Sequence, residues 1–183
     1  MTIRPAALTD APALAEIYKY YVNQTAVTFE IVPPGPEELR GRMERTMARY
    51  PWLVAQEGER VAGYAYAGPF YGRAAYDWSC ELTVYLDRER RGRGLGRELY
   101  GALIRELTGM GVRNLYACVA WTDREDGTLT NASARFHESM GFRRVGTFRK
   151  CGYKFDRWYD MIWMEKMVGD HPVPVPPIQS WRR

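Results

Sequence analysis

The stretch Tyr76-Asp77-Trp78-Ser79-Cys80-Glu81-Leu82-Thr83-Val84-Tyr85-Leu86 runs on into Arg91-Gly92-Arg93-Gly94-Leu95-Gly96, and then Leu99, Leu103, Ile104 and Leu107 recur at helical spacing. β-formers crowd the first part, glycines alternate through the second, and one apolar stripe marks the third. The order is strand, glycine turn, helix. The first amides of a helix have no intrahelical acceptor and lie at the positive end of its dipole, so an anion is welcome there. Glycines remove Cβ atoms where phosphate oxygens would approach, and Arg88, Arg90, Arg91, Arg93 and Arg97 add positive charge. The segment reads as a pyrophosphate cradle. It does not match the dinucleotide fingerprint GxGxxG, and the phosphate-loop motif GxxxxGK[ST] is absent. A flexible arginine-rich surface turn is the competing reading of the same residues.

Upstream, Asp10 is placed to cap a helix in which Leu14, Ile17, Tyr18 and Tyr21 form one buried stripe. Past Pro33-Pro34-Gly35-Pro36, a second helix carries Leu39, Met43 and Met47 and ends before Pro51. Trp52 to Ala55 and Val61 to Tyr66 read as a hairpin turning at Glu57-Gly58-Glu59. Downstream come a strand from Asn114 to Trp121, a polar loop from Thr122 to Thr130, and a short helix from Ser133 to Met140 stopped by Gly141. Strands Arg144 to Arg149 and Tyr159 to Lys166 close the set. The class is therefore α/β or α+β: a single mixed, mostly antiparallel twisted sheet with helices on both faces. Residues 1–167 form one domain. Residues 168–183 form a proline-rich C-terminal tail, either disordered or laid on the surface.

With 183 residues, 46% hydrophobic and 26% charged, the chain is long enough for one packed core and too short for two lobes. It has no apolar run of spanning length and no signal-peptide pattern, which points to a cytoplasmic protein that does not bind membrane. Cys80, Cys118 and Cys151 are widely spaced and form no CxxC pair. They read as small buried side chains rather than a disulfide framework or a metal site. The net charge of +4 is compatible with nucleic acid, an anionic surface or a phosphorylated small molecule and does not choose among them.

Arg91-x-x-Gly94-x-Gly96, following Thr83-Val84-Tyr85-Leu86, resembles the acetyl-CoA signature of GNAT-superfamily N-acetyltransferases. Further segments resemble the phosphinothricin and methionine sulfoximine N-acetyltransferase branch. They are Tyr50 to Ala55, Ala65 to Pro69, Ala75 to Trp78, Glu81 to Tyr85, Phe136-His137-Glu138 and Gly152 to Asp160. The resemblance implies a sheet that splays beside the fourth strand, where acetyl-CoA lies against the main chain of Val84, Tyr85 and Leu86. It places the pyrophosphate on Arg91, Gly92, Arg93, Gly94, Leu95, Gly96 and Arg97. Asn131 and Ser133 are further cofactor contacts by resemblance, although Thr130 stands at the offset where the family has its asparagine. A homodimer is implied in the same way.

In this family acetyl passes directly from thioester to amine, so a base is needed and a protein nucleophile is not. Glu81 matches the family's catalytic glutamate, and a carboxylate in an aromatic and aliphatic strand is costly without a partner or a task. A solvated strand face or an arginine ion pair is the alternative. His137 stands where relatives place a group near the thioester sulfur; a structural, hydrogen-bonded histidine is the other reading. Arg73 matches a family arginine able to grip a carboxylate or phosphinate, with Tyr76, Phe29 and Tyr100 as pocket walls. The expectation is an acetyl-CoA-dependent enzyme acting on a small amino-acid-like amine, with no metal and no nucleic-acid partner. Acetylation of another amine and a non-catalytic binding module are the alternatives.

Overall fold

The computed structural model of the chain describes residues 1–181. A seven-stranded sheet runs in the order β1 (Thr2–Pro5), β2 (Trp52–Glu57), β3 (Arg60–Pro69), β4 (Ser79–Leu86), β5 (Asn114–Trp121), β7 (Arg157–Met167), β6 (Arg143–Lys154). Every neighbouring pair is antiparallel except β4 with β5. Helices α1 (Ala11–Gln24) and α2 (Pro36–Met47) cover one face, and α3 (Leu95–Met110) with α4 (Ala132–Ser139) covers the other. The mixed, helix-flanked sheet expected from the sequence is the one found.

Two-residue periodicity sorts the core. Trp52 and Val54 of β2 pack with Leu14, Tyr18, Leu39 and Met43 of α1 and α2. Leu53 and Ala55 point the other way, into the cluster built on Leu99, Leu103 and Leu107 of α3. With both faces covered, β2 reads as an unbroken apolar run. Each fully buried leucine contributes roughly 1.5–3 kcal/mol of transfer free energy, which is enough to hold α1 and α3 against opposite faces of the same strands.

Several boundaries differ from the sequence reading. The edge strand β1 was not expected, because Thr2-Ile3-Arg4-Pro5 is too short to show a period. The carboxylate of Asp10 accepts the Ala7 amide at 2.8 Å and pairs with Arg4 at 2.8 Å, so it caps the 3₁₀ turn Leu8–Asp10 rather than α1. Ala74–Tyr76 is a second 3₁₀ turn, and β4 begins only at Ser79. Strands β6 and β7 extend to a tight turn in which Phe155 and Asp156 adopt φ of 50° and 55°. Phe155 does not announce such a turn, whose left-handed conformations favour Gly, Asn and Asp, and Asp156 alone is a weak signal for it. Of the three cysteines only Cys80 is buried; Cys118 and Cys151 are exposed, because a strand residue on an uncovered face opens outward.

From Val168 to Trp181 the tail forms no helix or strand and lies along the surface. Pro176 accepts a hydrogen bond from the Trp78 indole at 2.7 Å, and the Gln179 amide donates to Met110 at 2.8 Å. Trp181 packs partly buried against both clusters. The last two residues of the tail, 182 and 183, lie outside the described residues.

Candidate active site

The parallel pair β4 and β5 is joined only at Ser79–Asn114, Cys80–Leu115 and Glu81–Tyr116. Beyond Glu81 the strands part, although both continue, to Leu86 and to Trp121. Main-chain groups alternate sides along a strand, so Leu82, Val84 and Leu86 share one edge and Thr83 and Tyr85 the other. Leu86 faces the opening: its carbonyl accepts from the Tyr21 hydroxyl at 2.7 Å and its amide donates to the same oxygen at 3.3 Å. Tyr85 turns its main chain toward β3 and packs its ring on Tyr18 and Tyr21. The splay is thus an unpaired strand edge, with backbone polar groups available for a partner.

That edge leads into the glycine turn. Gly92 and Gly94 have φ of +76° and +80°, and Gly94 is the N-cap of α3. Gly96 sits close to its neighbours: a Cβ there would lie 3.3 Å from the end of the Leu86 side chain and 3.5 Å from Phe136, so that leucine would have to give slightly. The first α3 amides with acceptors are those of Arg97 and Glu98, both bonded to the Gly94 carbonyl at 3.0 and 3.2 Å. The amides of residues 91–96 have no acceptor among the described residues. Arg88, Arg91 and Arg93 form no ion pair there either, whereas Arg90 is paired with Glu57 at 3.0 Å. Arg97 reaches across to α4 and binds Ser139 through its carbonyl and hydroxyl. The turn therefore holds uncommitted donors and charge, the chemistry a diphosphate requires.

Glu81 lines a cavity of about 450 Å³ together with Phe29, Tyr66, Val84, Tyr85, Cys118, Ser133 and His137. Its carboxylate makes no hydrogen bond or ion pair with any described residue, so the arginine-pair alternative does not hold in this arrangement. Burial alone raises its pKa above the ordinary 4.5. Cys118 is pushed up to about 12, first by the protein packed around it and then by Glu81 and Cys151. Gly152 shapes the opposite wall: a Cβ at that position would sit 2.3 Å from the ring of Phe29. No periodicity pointed to Cys118 or Cys151, because the splay of β5 and the bulge between Phe148 and Gly152 in β6 bring them in; Tyr66 enters from β3.

His137 is 4% exposed, and both of its ring nitrogens are engaged. Nδ1 donates to the Ser133 carbonyl at 2.7 Å, which leaves Nε2 to accept the Tyr100 hydroxyl at 3.0 Å. Burial lowers its pKa, with the Ser133 carbonyl opposing. Tyr100 is fully buried and does not line the cavity, so the sequence reading of a pocket wall is replaced by a core residue that holds His137. Asn131 is likewise committed: its Oδ1 accepts the Thr122 amide at 3.2 Å and its Nδ2 donates to the Thr122 carbonyl at 2.8 Å. Its amide clamps the start of the 122–130 loop, with one donor hydrogen and one oxygen lone pair left over. Arg157 pins the same loop through Asp126, Thr122 and Arg124. Arg73 and Tyr76 are exposed on the segment between β3 and β4; Arg73 lines a separate hollow with Arg45, Arg49 and Asp77. One copy of the chain does not bring them to Glu81.

The sequence matches the acetyltransferase (GNAT) domain family over residues 3–163, which takes in the splay, the turn and the cavity. The chain belongs to the GNAT acetyltransferase family. Among its GNAT relatives is a phosphinothricin N-acetyltransferase of Streptomyces viridochromogenes. It is 37% identical over 175 residues, covering 96% of this chain and 90% of that protein. An L-methionine sulfoximine/L-methionine sulfone acetyltransferase of Salmonella typhimurium is 32% identical over 175 residues, covering 95% and 98%. A crystal structure of a GNAT-superfamily phosphinothricin acetyltransferase from Sinorhizobium meliloti, in complex with AcCoA, superposes with a TM-score of 0.86. It is 31% identical, with 98% of this chain and 94% of that one covered. As in other members of the family, the enzyme's sheet is a single mixed layer, and no helix among the described residues is long and apolar enough to cross a membrane.

Proposed function

We propose that this GNAT enzyme transfers acetyl from acetyl-CoA to the α-amino group of a small amino-acid-like acceptor of the phosphinothricin or methionine sulfoximine and sulfone type. The observation that carries the reading is a single continuous track. An unpartnered carboxylate stands where β4 leaves β5, an open strand edge follows, and a turn of free amides, with Arg91 and Arg93 carrying no carboxylate partner among the described residues, ends it. The relatives named above support the same cosubstrate and acceptor class.

The residues fit the coenzyme. The main chain of Val84 would pair its pantetheine arm, the amides of 91–96 with Arg91 and Arg93 would hold its diphosphate, and the thioester supplies the carbonyl that the amine attacks. Amines of this kind, with pKa of roughly 8, are mostly protonated at neutral pH, so a base must act first. Glu81 is that base. Its raised pKa brings it closer to the amine's and improves the match for proton transfer. His137 offers neither nitrogen; it fixes Tyr100 and the α4 end of the cavity wall. The reading includes a cytoplasmic homodimer. Phe70 stacks on Tyr116 at 4.0 Å beside the Glu81 register position, and Tyr71, Tyr76 and Phe148 are exposed close to that open sheet face.

A thiol-release assay over phosphinothricin, methionine sulfone, methionine sulfoximine, spermidine and an aminoglycoside tests the proposal. The expected outcome is release with the amino-acid analogues and background with the other two. Release with spermidine alone, or with no amine, overturns the acceptor assignment.

A further inference from the structure

Tyr21 lies on the buried stripe of α1, and its hydroxyl meets both the Leu86 main chain and the Arg91 charge while its ring carries Arg91 alone. The hydroxyl both donates to and accepts from Leu86, at 2.7 and 3.3 Å, and so takes the place on the β4 edge that a neighbouring strand's amide would fill. The next amide, that of Asp87, already turns back to Ala62 at 2.9 Å, so Leu86 is the last position on the open edge. The ring of Tyr21 carries the Arg91 guanidinium 4.9 Å from its centroid, and Tyr20 offers a second face to the same group at 5.3 Å. Arg91 has no carboxylate partner among the described residues, so its charge is held in place without being neutralised.

We infer that Tyr21 is a positioning residue for coenzyme binding. It stops the open strand edge at Leu86, leaving Val84 as the pairing position, and it holds Arg91 in register with that edge. One side chain thereby sets the spacing between the site of the thioester arm and the site of the diphosphate. The inference rests on the acetyl-CoA reading of the site and goes beyond it, since neither the glycine turn nor the strand requires a tyrosine on α1.

The test compares Tyr21→Phe, Tyr21→Leu and Arg91→Ala by calorimetry, with acetyl-CoA and with acetyl-pantetheine, which has the same arm and no diphosphate. Loss of the hydroxyl in Tyr21→Phe should weaken acetyl-pantetheine about three- to tenfold, the range of one net hydrogen bond, and acetyl-CoA by at least as much, since the hydroxyl also meets Arg91. Loss of the ring in Tyr21→Leu should weaken acetyl-CoA by about a further threefold, the range of an exposed cation–π contact, and leave acetyl-pantetheine unchanged. In an Arg91→Ala background that further step should vanish. For the two Tyr21 variants the KM for acetyl-CoA should rise, while kcat at saturating acetyl-CoA changes by no more than about twofold. A purely structural role predicts a lower Tm with equal affinities, and that result overturns the inference, as does an equal loss for both ligands in Tyr21→Leu. Should Tyr21→Leu not fold, unchanged affinities in Tyr21→Phe are sufficient to reject it. A wild-type chain that gives no heat with acetyl-CoA rejects the reading of the whole site; a wild type that binds, alongside variants that bind equally, rejects only the role of Tyr21.

Discussion

At the turn end of the cleft, donors outnumber acceptors: residues 91–96 offer free amides, and Arg88, Arg91 and Arg93 stand without carboxylates among the described residues. At the other end the balance reverses. Glu81 is an acceptor with no donor, and its walls are held by contacts between segments distant in the chain, such as Phe29 against Gly152 and Asn131 against Thr122. The first end is made by a dozen consecutive residues whose conformation follows from glycine and a helix start. The second exists only when five separate elements have packed. A site assembled in this way can keep one half fixed while the other varies, because changes in the walls leave the turn untouched.

The sharpest way to break the comparison is Glu81→Gln. Removing the base should lower kcat by about 10²- to 10⁴-fold at neutral pH, with acetyl-CoA affinity unchanged. Steady-state rates within threefold of wild type would remove the assignment. Because burial raises the Glu81 pKa, wild-type kcat/KM should fall on acidification with an inflection above 4.5, and the variant should lack that limb. The stability sign is opposite to that of an ion-paired carboxylate. The folded chain holds this proton more tightly than the unfolded chain, so ionising Glu81 costs stability as pH rises through the folded pKa. Glu81→Gln should therefore raise Tm at pH 7, and the gain should disappear below about pH 4, where the carboxyl is protonated in both states.

Gly152→Ala tests the wall that depends on tertiary packing. Its Cβ would meet Phe29 at 2.3 Å, so the ring must move into the cavity. The expected result is a KM for the amine raised about tenfold and a stability loss of roughly 1–3 kcal/mol, with the KM for acetyl-CoA unchanged; an unaffected amine KM would show that Phe29 does not border the acceptor. The smallest effect belongs to Gly94→Ala at φ +80°. Strain of about 1 kcal/mol should raise the KM for acetyl-CoA a few-fold and spare the amine. Equal shifts in both KM values would mean that the two ends are not separable.

The turn and its helix were legible because every relevant residue is local: Gly92, Gly94 and the leucine stripe need nothing from elsewhere. Glu81 was legible as an anomaly, a carboxylate in an apolar strand, and the structure shows it without the partner that would have explained it away. Tyr100 was misplaced, and the Thr122 partner of Asn131 was not foreseen, because an aromatic on a buried stripe and an amide beside a helix serine carry no mark of which groups they will meet. Tyr100 meets His137, and Asn131 meets Thr122. The turn at Phe155-Asp156 was hard to see because Phe155 is not a residue that favours positive φ and Asp156 is a weak signal by itself; the pairing of β6 with β7 imposes it.

By itself the sequence determined the order of the elements from α1 onward, the apolar faces, the glycine turn at the start of α3 and the family, since each depends on residue spacing along a few turns or strands. Only the tertiary structure decided where β4 and β5 part, that both nitrogens of His137 are taken, that Tyr21 meets the strand edge, and that Arg73 lies away from Glu81. These depend on side chains from separate elements meeting in space, and hydrogen-bond and steric complementarity act over a few ångströms regardless of distance along the chain.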